Sequence, residues 1–88
     1  MKITFRDSFA KDLKRVKDRV LLKRVKETIE AIEQMDSLNN VPDLKKLKGH
    51  VGYFRLRIGD YRVGLAFEND SVVFVRFLNR KDIYKFFP

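Results

Sequence analysis

Eighty-eight residues, a formal net charge of +8 and no cysteine limit what this chain can be before any motif is read. A chain this short buries only roughly 60–65% of the surface its unfolded form exposes, and without cysteine neither disulfides nor thiolate-held zinc can supplement its core. No apolar run approaches the ~20 residues of a membrane span, and Met1-Lys2-Ile3-Thr4-Phe5 has no signal-peptide character. The expectation is a soluble, cytoplasmic protein with one domain over residues 1–88.

The alternation Lys2, Ile3, Thr4, Phe5 suits a short first strand. Asp7 or Ser8 then offers a side chain to cap a helix whose apolar stripe is Phe9, Leu13, Val16 and Val20. A second stripe runs through Leu22, Val25, Ile29, Ile32 and Met35, with Asp18 placed to cap it, so a helical hairpin is predicted. Asp36 to Asp43 (DSLNNVPD) reads as a loop, and Lys45 to His50 leads into a sheet. Three strands follow, Tyr53–Ile58, Tyr61–Phe67 and Val72–Leu78, joined by turns at Gly59-Asp60 and at Glu68-Asn69-Asp70-Ser71. The tail from Lys81 to Pro88 is expected to form one turn at most. The predicted fold class is α+β, in the order β-α-α-β-β-β, with two helices on one face of a mainly antiparallel sheet.

Charge divides unevenly along this order. Residues 1–43 hold ten Lys/Arg and eight Asp/Glu, and residues 44–88 hold ten and four. The first half is expected to neutralise its charges along its helices, leaving a net +6 on the second. Period-two alternation assigns Phe54, Leu56 and Ile58, then Tyr61, Val63, Leu65 and Phe67, then Val73, Val75 and Phe77 to the core face. The opposite face then gathers Tyr53, Arg55, Arg57, Arg62 and Arg76, with Arg80 and Tyr84 at its rim. Gly64 and Ala66 should leave open ground beside Arg62. Arginines are poor strand residues and must avoid the core. Only Asp60, Glu68 and Asp70 lie near enough to pair with them. A polyanion across this face is the simplest account, because guanidinium groups bind phosphate bidentately and stack on bases, while tyrosines offer stacking platforms. A solvated basic face is the plain alternative.

The segment LKGHVGYFRLRIGDYRVGL with the later VVFVRFLNRKDIY resembles the RelE/ParE superfamily of toxins from bacterial and archaeal toxin–antitoxin systems, and within it the RelE branch. The paired motifs GDYR (Gly59–Arg62) and NRKDIY (Asn79–Tyr84) carry the resemblance. It implies a metal-independent endoribonuclease that cuts messenger RNA in the ribosomal A site and so inhibits translation. It also implies the site residues: Arg62, Arg80 and Tyr84 as catalytic, Arg55 and Arg57 as phosphate-positioning. Tyr53, Lys46, Lys48 and Lys81 complete the expected RNA-binding set. The chain departs from the family pattern where Tyr53 replaces a lysine and Asn79 a histidine.

The residues themselves constrain the chemistry. One histidine (His50, read as a loop residue), no cysteine and no carboxylate pair at ligand spacing leave no metal site and no cofactor to expect. Ser8, Ser37 and Ser71 fall at caps or turns, so no Ser-His-Asp constellation forms. RNA cleavage can proceed without a protein nucleophile, since the 2′-hydroxyl attacks the adjacent phosphate. The protein then supplies geometry, charge neutralisation, a base and an acid. Deprotonating an arginine at neutral pH takes roughly 7 kcal/mol or more and a phenol about 4 kcal/mol. Arg62 and Arg80 are therefore assigned to transition-state stabilisation, and Tyr84 to proton transfer or stacking. Two other readings stand beside the nuclease: a ParE-like inhibitor of DNA gyrase, and a catalytically weak binding module held in an antitoxin complex. The resemblance further implies a RelB-like antitoxin with an acidic wrapping segment, the ribosome and mRNA as partners, and promoter DNA reached only through the toxin–antitoxin complex.

Overall fold

The computed structural model describes residues 1–88. The elements in chain order are β1 (Lys2–Phe5), α1 (Asp7–Lys14), α2 (Arg19–Gln34), β2 (Leu44–Lys46), β3 (Tyr53–Ile58), β4 (Tyr61–Glu68), β5 (Ser71–Asn79) and α3 (Arg80–Phe86), with a 3-10 turn at Leu38–Asn40. Five strands form one sheet in the order β1-β5-β4-β3-β2. All pairs are antiparallel except β1 with β5. The α+β class, the helical hairpin and the three long strands match the expectation. Two elements were not anticipated. Leu44–Lys46 joins the sheet as an edge strand, and the tail forms a seven-residue helix that packs on β4 and β5.

Both hairpin turns use backbone that L-residues seldom adopt. Gly59 takes φ 58° at the first position of its two-residue turn, and Asn69 and Asp70 take φ 52° and 59°, the positive-φ pattern that tight hairpins require. At Asp18 the side chain accepts from the amides of Val20 and Leu21 and so starts α2. Helix α1 has no side-chain cap. Its capping position is Arg6, and the Ser8 hydroxyl instead donates to the carbonyl of Val75.

The main core lies between the helices and the sheet: Phe9, Val25 and Ile32 meet Leu56, Ile58, Val63, Leu65, Val72, Phe74 and Phe77. Val20, assigned to this stripe from its spacing, is 71% exposed. The chain turns between the helices, and Leu21 packs inward instead. On β5 the inward set is Val72, Phe74 and Phe77 rather than Val73, Val75 and Phe77. The cause is a register shift: Leu65 pairs with Phe74 while Gly64 pairs with Arg76, leaving Val75 as an extra residue. Without that bulge, strict alternation from Val72 and Phe74 would point Arg76 into the core.

Arg76 instead reaches sideways to Asp12 of α1. The Asp12 carboxylate is 3% exposed, accepts from Arg76 Nε at 2.8 Å and Nη2 at 3.1 Å, and takes a third bond from the Phe77 amide at 2.9 Å. Strand β1 covers the outer edge of β5 only as far as Phe74, so side chains of α1 satisfy the edge beyond. Arg76 thus belongs to the scaffold and not to the basic face. The helices also do not neutralise themselves: the two ion pairs present, Arg6–Glu68 and Arg76–Asp12, both join the first half to the second. Asp12→Ala leaves a guanidinium and a strand amide without their partner. It is expected to destabilise the fold by about 3–5 kcal/mol, read as a lower urea midpoint at unchanged slope. A loss within about 0.5 kcal/mol, the range of ordinary surface substitutions, would mean that the edge needs no cap.

Candidate functional site

Cross-strand pairing builds a ladder of like charges on the face opposite the main core. Lys45 of β2 stands opposite Arg55 of β3, and Arg57 of β3 opposite Arg62 of β4. Directly opposed side chains have Cβ atoms about 4.5–5.5 Å apart, so like charges there oppose folding. No carboxylate lies within ion-pair distance of any of these four, since the chain's two ion pairs lie elsewhere. Asp43 is the one acidic residue beside them. It lines the same cleft of about 170 Å³ with Lys45, Arg55, Arg57, Arg62 and Tyr84.

Each wall of this cleft has a local cause. Arg62 Nη1 donates to the carbonyls of Gly59 and Tyr61, both at 3.0 Å. The tight turn therefore pins the guanidinium and leaves Nε and Nη2 for a ligand. Asp43 adopts φ 63° and its carbonyl accepts from the Arg57 amide, which brings the loop after α2 to the mouth of the cleft. Tyr84 arrives from α3. The Arg55 guanidinium lies 4.5 Å from the Tyr84 ring centre, a cation–π distance, and Tyr84 as a residue remains 62% exposed.

Helix α3 is placed by packing. Asn79 ends β5 and caps the helix, its side chain accepting from the Lys81 and Asp82 amides. Ile83 and Phe87, one turn apart, are buried and fall on the same side of the sheet as Ala66 and Val73, both also buried outside the main core. The ground beside Arg62 is therefore not open. Phe87 fills it so tightly that a Cβ on Gly64 would stand 2.7 Å from the ring. Tyr53 supports this packing, half-buried with its ring edge-on to Phe87 and to His50.

Of the residues expected at the site, the structure brings Arg55, Arg57, Arg62 and Tyr84 together in one cleft. Lys46 and Lys48 line an adjoining groove of about 440 Å³, with His50, Lys45, Arg55 and Tyr84. Arg80 is exposed, its amide donating to the Asp60 carbonyl at 2.8 Å. It is one helical turn from Tyr84 and so shares a face with it, at the rim rather than among the lining residues. Lys81 lies on the exposed first turn of α3, and Tyr53 lies beneath Phe87. Lys45 was not foreseen: a strand of three residues is too short for its alternation to register as a pattern. No three His, Cys, Asp or Glu side chains gather into a metal-ligating group.

A five-stranded sheet backed by a helical hairpin agrees with the comparisons to known proteins. Residues 3–84 match the family model described as the ParE toxin of the type II toxin–antitoxin system parDE. The protein named Toxin RelE3 from Methanocaldococcus jannaschii is 44% identical over the full length of both chains. Among solved structures, a RelB–RelE antitoxin–toxin complex from Methanococcus jannaschii contains a chain 42% identical, with TM-score 0.83, covering 97% of this chain and 99% of that one. A RelE–RelB complex from Pyrococcus horikoshii, 20% identical with TM-score 0.71 over 90% and 93% of the two chains, shares the fold. The chain belongs to the RelE/ParE superfamily of toxins of type II toxin–antitoxin systems.

The contact at Gly64 gives a test of how α3 holds Tyr84. Gly64→Ala forces Phe87 away, at an overpacking cost of about 1–3 kcal/mol, and should speed amide exchange across residues 80–87 while leaving β3 protected. Unchanged exchange in that segment would show that Phe87 is not what seats the helix.

Proposed function

We propose that this toxin is a metal-independent, ribosome-dependent messenger-RNA endoribonuclease that arrests translation, and that a RelB-like antitoxin neutralises it. The observation that carries the reading is the opposed pair Arg57–Arg62 beside Lys45–Arg55, with no acidic partner on any of the four. Folding gains nothing from that arrangement, whereas phosphodiester groups laid across it supply the negative charge it lacks. In the expected reaction the RNA 2′-hydroxyl attacks its own phosphate, so the protein needs no nucleophile. Arg55 and Arg57 position the phosphate, and Arg62, fixed by its two backbone bonds, faces the charge that develops at phosphorus. Arg80 approaches from the rim. The Tyr84 ring, held over Arg55 on one side, is free on the other to stack on a base or to exchange a proton with the ribose.

Kinship supports the antitoxin, and ribosome dependence is what the RelE resemblance implies. A chain 42% identical to this one was solved with its RelB antitoxin, and the excess of ten Lys/Arg over four Asp/Glu in residues 44–88 suits an acidic wrapping segment. A second reading has support of its own, because the matching family description names ParE toxins: a gyrase inhibitor on the same fold. It assigns no task to the unpaired arginine ladder.

Primer extension in a translating extract separates the two. Wild-type protein should create new 5′ ends within translated messages only. Arg62→Ala should weaken them by about 10²–10³-fold, the usual loss on removing a transition-state donor, with the fold intact by circular dichroism. Toxicity without new ends would overturn the nuclease and make gyrase supercoiling the next assay. Neither ends nor toxicity would leave a binding module.

A further inference from the structure

Three of the six side chains around the cleft are arginines, which neutralise phosphate but do not give up a proton at neutral pH. The remaining three are Asp43, Lys45 and Tyr84. An ionised carboxylate has no proton to give and repels a phosphate, whereas a lysine ammonium both attracts the phosphate and carries a transferable proton. Lys45 sits on an exposed edge strand without an ion-pair partner, directly opposite Arg55, and it lines both the cleft and the adjoining groove. Tyr84 lies against that same Arg55, 4.5 Å from its guanidinium. Arg55 thus has Lys45 as its neighbour across the strand pair and Tyr84 as its neighbour from α3. A phosphate held on Arg55 would meet one proton-exchanging group from the sheet edge and another from the helix. In-line displacement at phosphorus is served by such a pair, since the attacking and departing oxygens lie on opposite sides of the phosphorus.

We infer that Lys45 is a further catalytic residue of this site, the acid that protonates the departing 5′-oxygen during RNA cleavage. The inference rests on the nuclease reading above and supplies the acid that reading lacks. In the step, the 2′-oxygen forms its bond to phosphorus as its proton passes to Tyr84 Oη, that oxygen having first given its own proton to water. The bond from phosphorus to the 5′-oxygen breaks as a proton from the Lys45 ammonium moves onto that oxygen. The products are a 2′,3′-cyclic phosphate and a 5′-hydroxyl, and exchange with water returns the lysine and tyrosine to their starting states. No metal or co-reactant enters the balance.

The test compares two linkages at the A-site codon of a message on programmed ribosomes: the ordinary phosphodiester, and one whose bridging 5′-oxygen is replaced by sulfur. A thiolate departs without being protonated, so the sulfur linkage does not need the acid. Lys45→Arg keeps the charge and removes the transferable proton. Loss of a positioned general acid predicts about 100-fold slower cleavage of the oxygen linkage and a rate within about threefold of wild type on the sulfur linkage. Equal losses on both linkages, or no loss on either, would overturn the role. Lys45→Ala, which also removes the charge, should slow both, and a sulfur-linkage rate equal to wild type would contradict any contact between Lys45 and the phosphate. Should wild-type protein cut neither linkage, the nuclease reading itself fails, an outcome distinct from failure of the lysine assignment. Circular dichroism melts of the variants check that the exposed edge strand tolerates each change.

Discussion

The cleft exists because a phenylalanine ring lies directly on the backbone of Gly64. A side chain there would force Phe87 to shift from β4, and with it the seat of α3 that places Tyr84 above Arg55. The β5 bulge falls opposite the same spot, between Gly64 and Leu65, and it turns Arg76 out of the core toward Asp12. One short stretch of β4 therefore fixes two things: the approach of the C-terminal helix on one side, and the attachment of α1 to the sheet edge on the other. A strand interior normally disfavours glycine for want of a side chain to pack. Here the missing side chain is the space another ring requires.

Charge in this protein divides into a committed set and an unpaired set. Asp12, the one buried carboxylate, holds Arg76 with bidentate geometry and takes a strand amide as well. That full satisfaction is what makes a buried charge tolerable. The arginines of the cleft have the opposite treatment. Arg57 and Arg62 are aligned across a strand pair where they repel, and Arg62 receives only backbone carbonyls that orient it. A sheet face that adds repulsion and then fixes the repelling groups in place is shaped by something outside the chain. Under the proposed function, an RNA phosphate supplies that charge.

Much of this was legible in the residues. Alternation put Leu56, Ile58, Val63 and Leu65 in the core and Arg55, Arg57 and Arg62 on the other face, because β3 and β4 are regular strands joined by a two-residue turn. It failed on β5, where an extra residue breaks the period of two and no sequence signal marks the bulge. Val75 looks like any other strand valine, and its carbonyl merely accepts from Ser8. Helix α3 was missed because its two anchors, Ile83 and Phe87, are too few to show a 3.6-residue period. The partner that gives them meaning, Gly64, lies on a different strand. Arg76 was misplaced for a related reason, its partner Asp12 being 64 residues earlier in the chain.

The walls of the cleft also differ in how firmly they are held. Arg55, Arg57 and Arg62 come from adjacent strands of the sheet, and the turn at Gly59 further constrains Arg62. Tyr84 depends on a seven-residue helix, too short to be stable on its own. The cation–π contact to Arg55 supplies about 0.5–1 kcal/mol at an exposed site, whereas each buried anchor, Ile83 or Phe87, supplies about 1.5–3 kcal/mol. Apolar packing against Gly64, Ala66 and Val73 therefore sets the position of the tyrosine, and the cation only refines it. The arginines form a fixed electrostatic floor. The tyrosine roof rests on two hydrophobic side chains, and its geometry can change while the floor stays in place.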